Sequence, residues 1–294
     1  MDDVPFGWAS AESHILIIGT RIFGVKRRKT ASMEIKGTYS IEKTFVGKDK
    51  IPMLLFFHKK KKPIPAVMCI HGWTGNKESM LRHCVRVADA GFLAVAVDAR
   101  MHGERMDVAF HSKTSENFAR TFFSVVSETA ADLSRVVDFL VERSDVDPNR
   151  VGLMGISMGG FVSLISTQLE KRVKTVASVL GAGDFWAFGE RVSSQKVLPY
   201  DQKLAGHLDD ETAKLIRNCD PLGNLDKFPP TTLLLMGGST DPLIPKEGII
   251  QLYEGLKPLY ASNPEDLKLS MYDVGHEFTQ EMEAEVVKWF KEHL

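Results

Sequence analysis

A serine flanked by glycines stands where a predicted strand passes into a predicted helix. The segment Gly155-Ile156-Ser157-Met158-Gly159 has the pattern G-x-S-x-G, and the apolar run at residues 151–154 precedes it. A serine on so sharp a turn holds its hydroxyl above the sheet, and the turn requires small neighbours. The pattern therefore predicts that Ser157 is a nucleophile, with a glycine-rich helix start as the alternative interpretation.

A serine hydroxyl is a poor nucleophile unless a histidine takes its proton. Three of the nine histidines follow the serine in the chain, as a strand-serine-helix motif requires of its base: His207, His276 and His293. His207 falls in a predicted insertion, and His293 is the penultimate residue. His276 lies between the last predicted strand and the last predicted helix, where a side chain overhangs the carboxyl ends of the strands. We therefore predict that His276 is the base.

A base of this kind needs a carboxylate to fix its tautomer and to stabilise the imidazolium. Asp241 follows the predicted strand at 231–236, on a loop at the strand's carboxyl end, although an ordinary Asp-Pro turn is also consistent with it. Asp184, which follows the preceding predicted strand, is the rival candidate. Asp273 lies too close in sequence to the histidine. Asp241 is the favoured acid.

The oxyanion of an acyl transfer needs two backbone donors. We expect these to be the N–H of Met158, which follows the nucleophile, and the N–H of Trp73, in the loop after the predicted strand at 65–70. We expect His71 to order that loop by hydrogen bonding. Five residues are predicted to make an apolar substrate pocket suited to short or medium acyl chains or an aromatic acid, although several could simply pack an insertion onto the sheet: Trp73, Phe161, Phe185, Trp186 and Phe188.

Strands and helices alternate along most of the chain, which predicts an α/β fold with a mainly parallel sheet covered by helices on both faces. Antiparallel strands are expected within residues 33–57. The later strands are predicted at 65–70, 92–97, 150–154, 173–180, 231–236 and 267–274. The helices are predicted at 81–90, 124–143, 159–171, 246–256 and 278–294. Residues 184–220 form a mixed polar and aromatic insertion that we interpret as a small lid.

Residues 33–294 are predicted to be one catalytic domain, and residues 1–32 an N-terminal extension. The extension contains a short apolar run at 15–18 and a basic cluster at 26–29. A membrane span needs about 20 apolar residues, so this run is too short to be one. We expect the extension to pack on the domain or on a second subunit of a homo-oligomer, with peripheral membrane contact as the alternative.

Composition excludes several classes of protein. The 37 basic and 38 acidic residues give a formal charge of −1, so nucleic acid is not an expected partner. Cys69, Cys84 and Cys219 are widely spaced, which favours reduced thiols in a cytoplasmic protein over disulfides or a metal site. The H-E-x-x-H, Walker and G-x-G-x-x-G motifs are absent from the sequence, so neither a cofactor nor a metal is predicted.

Five motifs in chain order resemble those of the α/β-hydrolase superfamily, and the chain is similar to dienelactone hydrolases and to the catalytic domains of prolyl-oligopeptidase-type enzymes. The resemblance covers residues 33–294 and has serine where dienelactone hydrolases have cysteine. The β-propeller that makes oligopeptidases select short peptides is missing. The matching motifs are His71-Gly72-Trp73, Asp98 with His102-Gly103, Gly155 to Gly160, Asp241-Pro242 and Gly275-His276.

The resemblance implies a carboxylesterase-type serine hydrolase that acts through an acyl-enzyme. A thioesterase, lactonase, acyltransferase or small-peptide hydrolase would use the same three residues, and a non-catalytic binding protein on the same fold is the remote alternative. We expect Asp98, Arg100 and His102 to cap a turn, although Arg100 or Arg105 could instead reach an anionic group of a substrate.

Overall fold

The computed structural model describes residues 39–60, 62–194 and 208–294. The predicted N-terminal extension, the boundary at residue 33, His207 and the middle of the predicted lid lie outside these ranges. Assembly through the extension and a cytoplasmic location therefore stay predictions. Among the described residues, no helix is long and apolar enough to cross a membrane.

Eight strands of the described chain form a single sheet, with neighbours in the order β1-β2-β4-β3-β5-β6-β7-β8. The β1–β2 and β2–β4 pairs are antiparallel and the remaining pairs are parallel. The predicted α/β-hydrolase fold with a mainly parallel sheet is thus confirmed. The strands are β1 (Ser40–Val46), β2 (Ile51–Phe57), β3 (Ile64–Ile70), β4 (Leu93–Val97), β5 (Val146–Ile156), β6 (Val173–Val179), β7 (Thr232–Gly238) and β8 (Leu267–Tyr272).

Helices cover both faces of this sheet, as the unbroken apolar runs in its central strands require. The helices are α1 (Leu81–Asp89), α2 (Phe110–Glu116), α3 (Phe118–Val141), α4 (Met158–Leu169), α5 (Phe185–Ser194), α6 (Asp210–Cys219), α7 (Lys246–Leu256) and α8 (Gln280–His293). Buried side chains of α3 to α7 form one apolar core, and those of α1 and α8 form another on the opposite face.

Two predicted elements begin earlier in the structure than the sequence indicates, and one further helix appears. Helix α3 begins six residues before the predicted residue 124, because Asn117 caps it by accepting a hydrogen bond from the N–H of Arg120. Strand β5 begins at Val146, four residues before the predicted residue 150, since Val146 pairs with Ile64 before a register shift. Helix α2 was not predicted.

The early start of α3 brings a group of phenylalanines between the sheet and the insertion. Phe123 is fully buried, and its ring lies 5.8 Å from that of Phe185 and 6.2 Å from that of Phe188, both on α5. A large aromatic side chain at this point joins α3 to the insertion.

We expect Phe123→Ala to lower the free energy of unfolding by about 3–5 kcal/mol, because it leaves a cavity in a close-packed core. Leu169→Ala, at the exposed end of α4, should change it by less than about 0.5 kcal/mol. Urea denaturation of both variants measures the difference. Equal effects would contradict the packing described for α3.

Candidate active site

The candidate nucleophile lies on a strained turn between β5 and α4. Ser157 has φ +56° and ψ −115°, a conformation that is uncommon for residues other than glycine and costs about 1–3 kcal/mol. The Ser157 N–H donates to the carbonyl of Val179 at 2.8 Å, which ties the turn to β6. A Cβ on Gly155 would come within 1.8 Å of the Gly159 carbonyl oxygen, so the crossing of strand and helix allows no side chain there.

Ser157, His276 and Asp241 are joined in one chain of hydrogen bonds, although the first two are 119 residues apart in sequence. The His276 Nδ1 lies 2.7 Å from Asp241 Oδ2, and its Nε2 lies 2.8 Å from Ser157 Oγ. An ionised carboxylate can only accept, so Nδ1 carries the proton and donates it. Nε2 is then the basic nitrogen, and it accepts the hydrogen bond of the serine hydroxyl.

Two backbone N–H groups, in addition to His276, stabilise the ionised form of Asp241. Its side chain is 1% exposed, and its Oδ1 accepts hydrogen bonds from the N–H groups of Leu243 at 2.8 Å and Ile244 at 3.0 Å. Burial raises the pKa of Asp241, but the hydrogen bonds from His276 and these two amides outweigh burial and lower the pKa below its usual value. The carboxylate thus stays charged beside the imidazole.

The alternative candidates for the acid and the base make other contacts in the structure. Asp184 accepts a hydrogen bond from the N–H of Ala187 at 2.8 Å and so caps the start of α5. Asp273 accepts from the hydroxyl of Ser239 at 3.1 Å, and His293 lies 3.6 Å from Asp266. In the structure, therefore, Asp241 lies beside His276, whereas Asp184 caps helix α5.

The two segments that carry the candidate oxyanion donors approach Ser157. Met158 is the first residue of α4, so its N–H is one of the four amides for which the helix itself has no acceptor. The loop that carries Trp73 follows β3, and a Cβ on Gly72 would lie only 3.4 Å from the Cβ of Ser157. The N-terminus of the helix and this loop thus approach the nucleophile.

His71 orders this loop through both of its ring nitrogens. Its Nε2 accepts a hydrogen bond from the N–H of Ala99 at 3.1 Å, so its Nδ1 carries the proton and donates to the Gly72 carbonyl at 2.8 Å. That carbonyl belongs to the same peptide group as the Trp73 N–H, and it also accepts from the N–H of Gly75 at 3.0 Å. The orientation of the Trp73 N–H is therefore set by His71. Burial lowers the pKa of His71 to about 4, which keeps the ring neutral near pH 7.

The loop after β4 is hydrogen-bonded to the segment that follows β3. Asp98 is fully buried and accepts hydrogen bonds from the Lys77 N–H at 2.7 Å, the Lys77 Nζ at 2.8 Å and the Glu104 N–H at 3.0 Å. Arg100 and Arg105 both donate to the buried Asp132. Neither arginine lines the cavity at Ser157, so their contacts favour the turn-ordering interpretation over a substrate contact. The ring Nδ1–H of His102 donates to the Arg100 carbonyl at 2.8 Å.

A small apolar cavity of about 70 Å³ opens beside Ser157 and His276. Of the five predicted pocket residues, Trp73, Phe161 and Phe188 line it. The other two do not line this cavity: Phe185 is fully buried and stacks on Phe161, and the indole N–H of Trp186 donates to Glu190 at 2.9 Å. The other lining residues are Phe118, Phe122, Val192, Leu243 and Ile244.

Four residues of the cavity wall could have been grouped by their spacing in the sequence. Phe118 and Phe122 are one helical turn apart on α3, and Val192 lies one turn after Phe188 on α5. Spacing of i and i+4 places such pairs on one face of a helix, so a correct start for α3 would have identified the first pair. Within the described ranges, no group of three or more metal-ligating side chains is placed to hold a metal ion.

Comparison with known proteins shows the family of the chain. The model of the "Dienelactone hydrolase family" matches residues 52–292, which is most of the chain. The chain belongs to the dienelactone hydrolase family. The resemblance stated from the sequence motifs is thus confirmed, and the family and its relatives identify the chain as an enzyme with hydrolase activity of the esterase type.

The chain is also similar to a curated relative and, in fold, to solved structures. The chain is 23% identical over 238 residues to "Esterase YjfP" of Escherichia coli (strain K12), and the match covers 80% of the chain and 92% of that protein. It is similar in fold to TT1662 from Thermus thermophilus, with a TM-score of 0.68, 22% identity and coverage of 86% and 97%. Acetyl xylan esterase 1 from Thermoanaerobacterium sp. has a TM-score of 0.64 and 19% identity, with coverage of 96% and 88%.

The neutral state of His71 makes stability depend on pH. Below pH 6.5 the unfolded chain binds a proton on His71, whereas the folded chain does so only near pH 4. Stability is therefore lost as the pH falls, by about 2 kcal/mol between pH 7 and pH 5 for this residue alone. His71→Gln removes this contribution, so its free energy of unfolding should fall less steeply than that of the wild type over the same interval. Urea denaturation at both pH values measures it, and equal slopes would contradict the assignment.

Proposed function

We propose that the chain is a serine hydrolase that cleaves carboxylic esters with small acyl groups through an acyl-enzyme. The observation that carries the proposal is the continuous hydrogen-bond chain from Ser157 through His276 to Asp241, with distances of 2.8 and 2.7 Å. Membership of the dienelactone hydrolase family and the similarity to a protein named as an esterase support it.

Acylation begins when Ser157 Oγ attacks the ester carbonyl while its proton passes to His276 Nε2. The carbonyl π electrons move to the oxygen, which becomes the oxyanion of a tetrahedral intermediate. The buried Asp241 carboxylate stabilises the imidazolium that forms, because the two groups then have opposite charges at hydrogen-bond distance. His276 then gives the proton to the departing alkoxide, which leaves as the alcohol.

The oxyanion is stabilised by the N–H groups of Trp73 and Met158 in this proposal. Such donors contribute most when they are oriented before the reaction starts, and loss of one typically costs a factor of about 10²–10³ in rate. His71 and Gly75 hold the peptide group of Trp73 in place, and the strained turn holds Met158. Deacylation reverses the roles: water attacks the acyl carbonyl while His276 takes one of its protons, which gives a second tetrahedral intermediate. As this intermediate collapses, the bond from the carbonyl carbon to Ser157 Oγ breaks, His276 returns the proton to Oγ, and the carboxylic acid leaves.

The cavity favours a short acyl chain. Its walls are aromatic and aliphatic, and its volume of about 70 Å³ suits an acyl group of a few carbons. A thioester, a lactone or a small peptide would pass through the same acyl-enzyme, since only the leaving group differs. The acyl group is therefore the part of the substrate that these walls select.

Hydrolysis of a p-nitrophenyl ester series from acetate to palmitate tests the proposal. We expect the wild type to act on the short chains, and Ser157→Ala to lose at least about three orders of magnitude in kcat/KM, because no other group supplies the nucleophile. Ser112→Ala, an exposed serine on α2, is the matched control and should retain wild-type activity. A wild type that is inert on every ester, or a Ser157→Ala variant that keeps most of the activity, would contradict the proposal.

A further inference from the structure

Helix α5 of the insertion provides one wall of the acyl cavity. Phe188 and Val192 lie one helical turn apart on this helix, both are buried, and both line the cavity beside Ser157. The ring of Phe188 lies 4.8 Å from that of Phe161 on α4. The position of α5 relative to the sheet therefore determines how large an acyl group fits.

The loop that carries the candidate acid provides another wall. Leu243 and Ile244 line the cavity, and their N–H groups donate to Asp241 Oδ1. The other carboxylate oxygen accepts from His276. Since one short loop both contacts the acyl group and holds the base, a displacement of this wall also displaces Asp241.

Arg191 connects the two walls. Its guanidinium Nη2 donates to the carbonyl oxygen of Pro242 at 2.7 Å, across 51 residues of sequence. Pro242 stands between Asp241 and Leu243, and its ring restricts the backbone at that point. The Pro242 ring also faces Gly275, the neighbour of His276, since a Cβ there would lie 3.9 Å from Pro242 Cδ. The contact of Arg191 is thus made at the centre of the acid loop.

We propose that Arg191 is a positioning residue that sets the distance between α5 and the acid loop, and so couples the length of the acyl chain to the alignment of Asp241 with His276. This inference rests on the proposed esterase function. An acyl chain that fits leaves the Arg191–Pro242 hydrogen bond intact, and Asp241 stays aligned. A longer chain separates the walls, stretches this bond and draws Asp241 away from His276, so kcat falls with chain length.

Arg191→Met tests the coupling, because methionine keeps much of the length of the side chain but cannot donate a hydrogen bond. We expect kcat for p-nitrophenyl acetate to fall several-fold, and the ratio of kcat/KM for the octanoate to that for the acetate to rise by about fivefold or more, the lower end of typical coupling between sites. Arg191→Lys, which keeps a donor, should restore part of the acetate rate. Arg217→Met is the matched control, because Arg217 lies over the ring of Trp186 on the insertion and does not line the cavity. Its chain-length profile should match the wild type.

A second measurement does not depend on ester hydrolysis. Loss of the Arg191 contact should speed hydrogen exchange at the amides of Leu243 and Ile244, and Arg217→Met should not. A chain-length profile of the same shape in Arg191→Met and wild type, or unchanged exchange at these two amides, would overturn the proposal. An inactive wild type would contradict the esterase function instead, and the exchange result would still decide the role of Arg191.

Discussion

The close crossing of strand β5 and helix α4 is the constraint on which the candidate site depends. A Cβ at Gly159 would come within 2.2 Å of the Ile70 carbonyl oxygen, and one at Gly160 within 2.8 Å of Gly181, so only glycine lets the helix approach this closely. The approach forces Ser157 into a positive φ and directs its side chain out of the sheet. The unfavourable backbone conformation persists because the packing of β3, β5, β6 and α4 around the turn leaves no alternative.

The other candidate catalytic groups lie on loops that follow the carboxyl ends of other strands of the sheet. The loop after β3 carries Trp73, the loop after β7 carries Asp241, and the loop after β8 carries His276. Buried polar groups connect the first of these loops to the loop after β4: His71 accepts a hydrogen bond from the Ala99 N–H, and Lys77 forms an ion pair with Asp98. Such groups are stable inside the protein because each finds a partner, and their removal leaves a buried polar atom without one.

Much of this arrangement could be predicted from the sequence, because its signals are local. Short stretches of chain show the G-x-S-x-G segment and the alternation of strands and helices. The serine, aspartate and histidine can each be identified in such a stretch and then placed in order. The walls of the cavity were harder to predict. Phe185 and Phe188 are equally apolar in sequence, and only the rotation of α5 decides that Phe188 faces the cavity while Phe185 packs against Phe161. Leu243 and Ile244 line the cavity from a loop whose amides donate to the Asp241 carboxylate, a contact that periodicity does not report.

The measurement that tests the central claim most directly is the mass of the protein after reaction with a fluorophosphonate, followed by peptide mapping. A serine that is activated by His276 and Asp241 attacks the phosphorus and displaces fluoride, so the account predicts one adduct per chain, located on Ser157. The adduct should be lost when the protein is unfolded before the reagent is added, because the hydrogen-bond chain then no longer exists. A folded protein that forms no adduct, or forms it at another residue, would contradict the account.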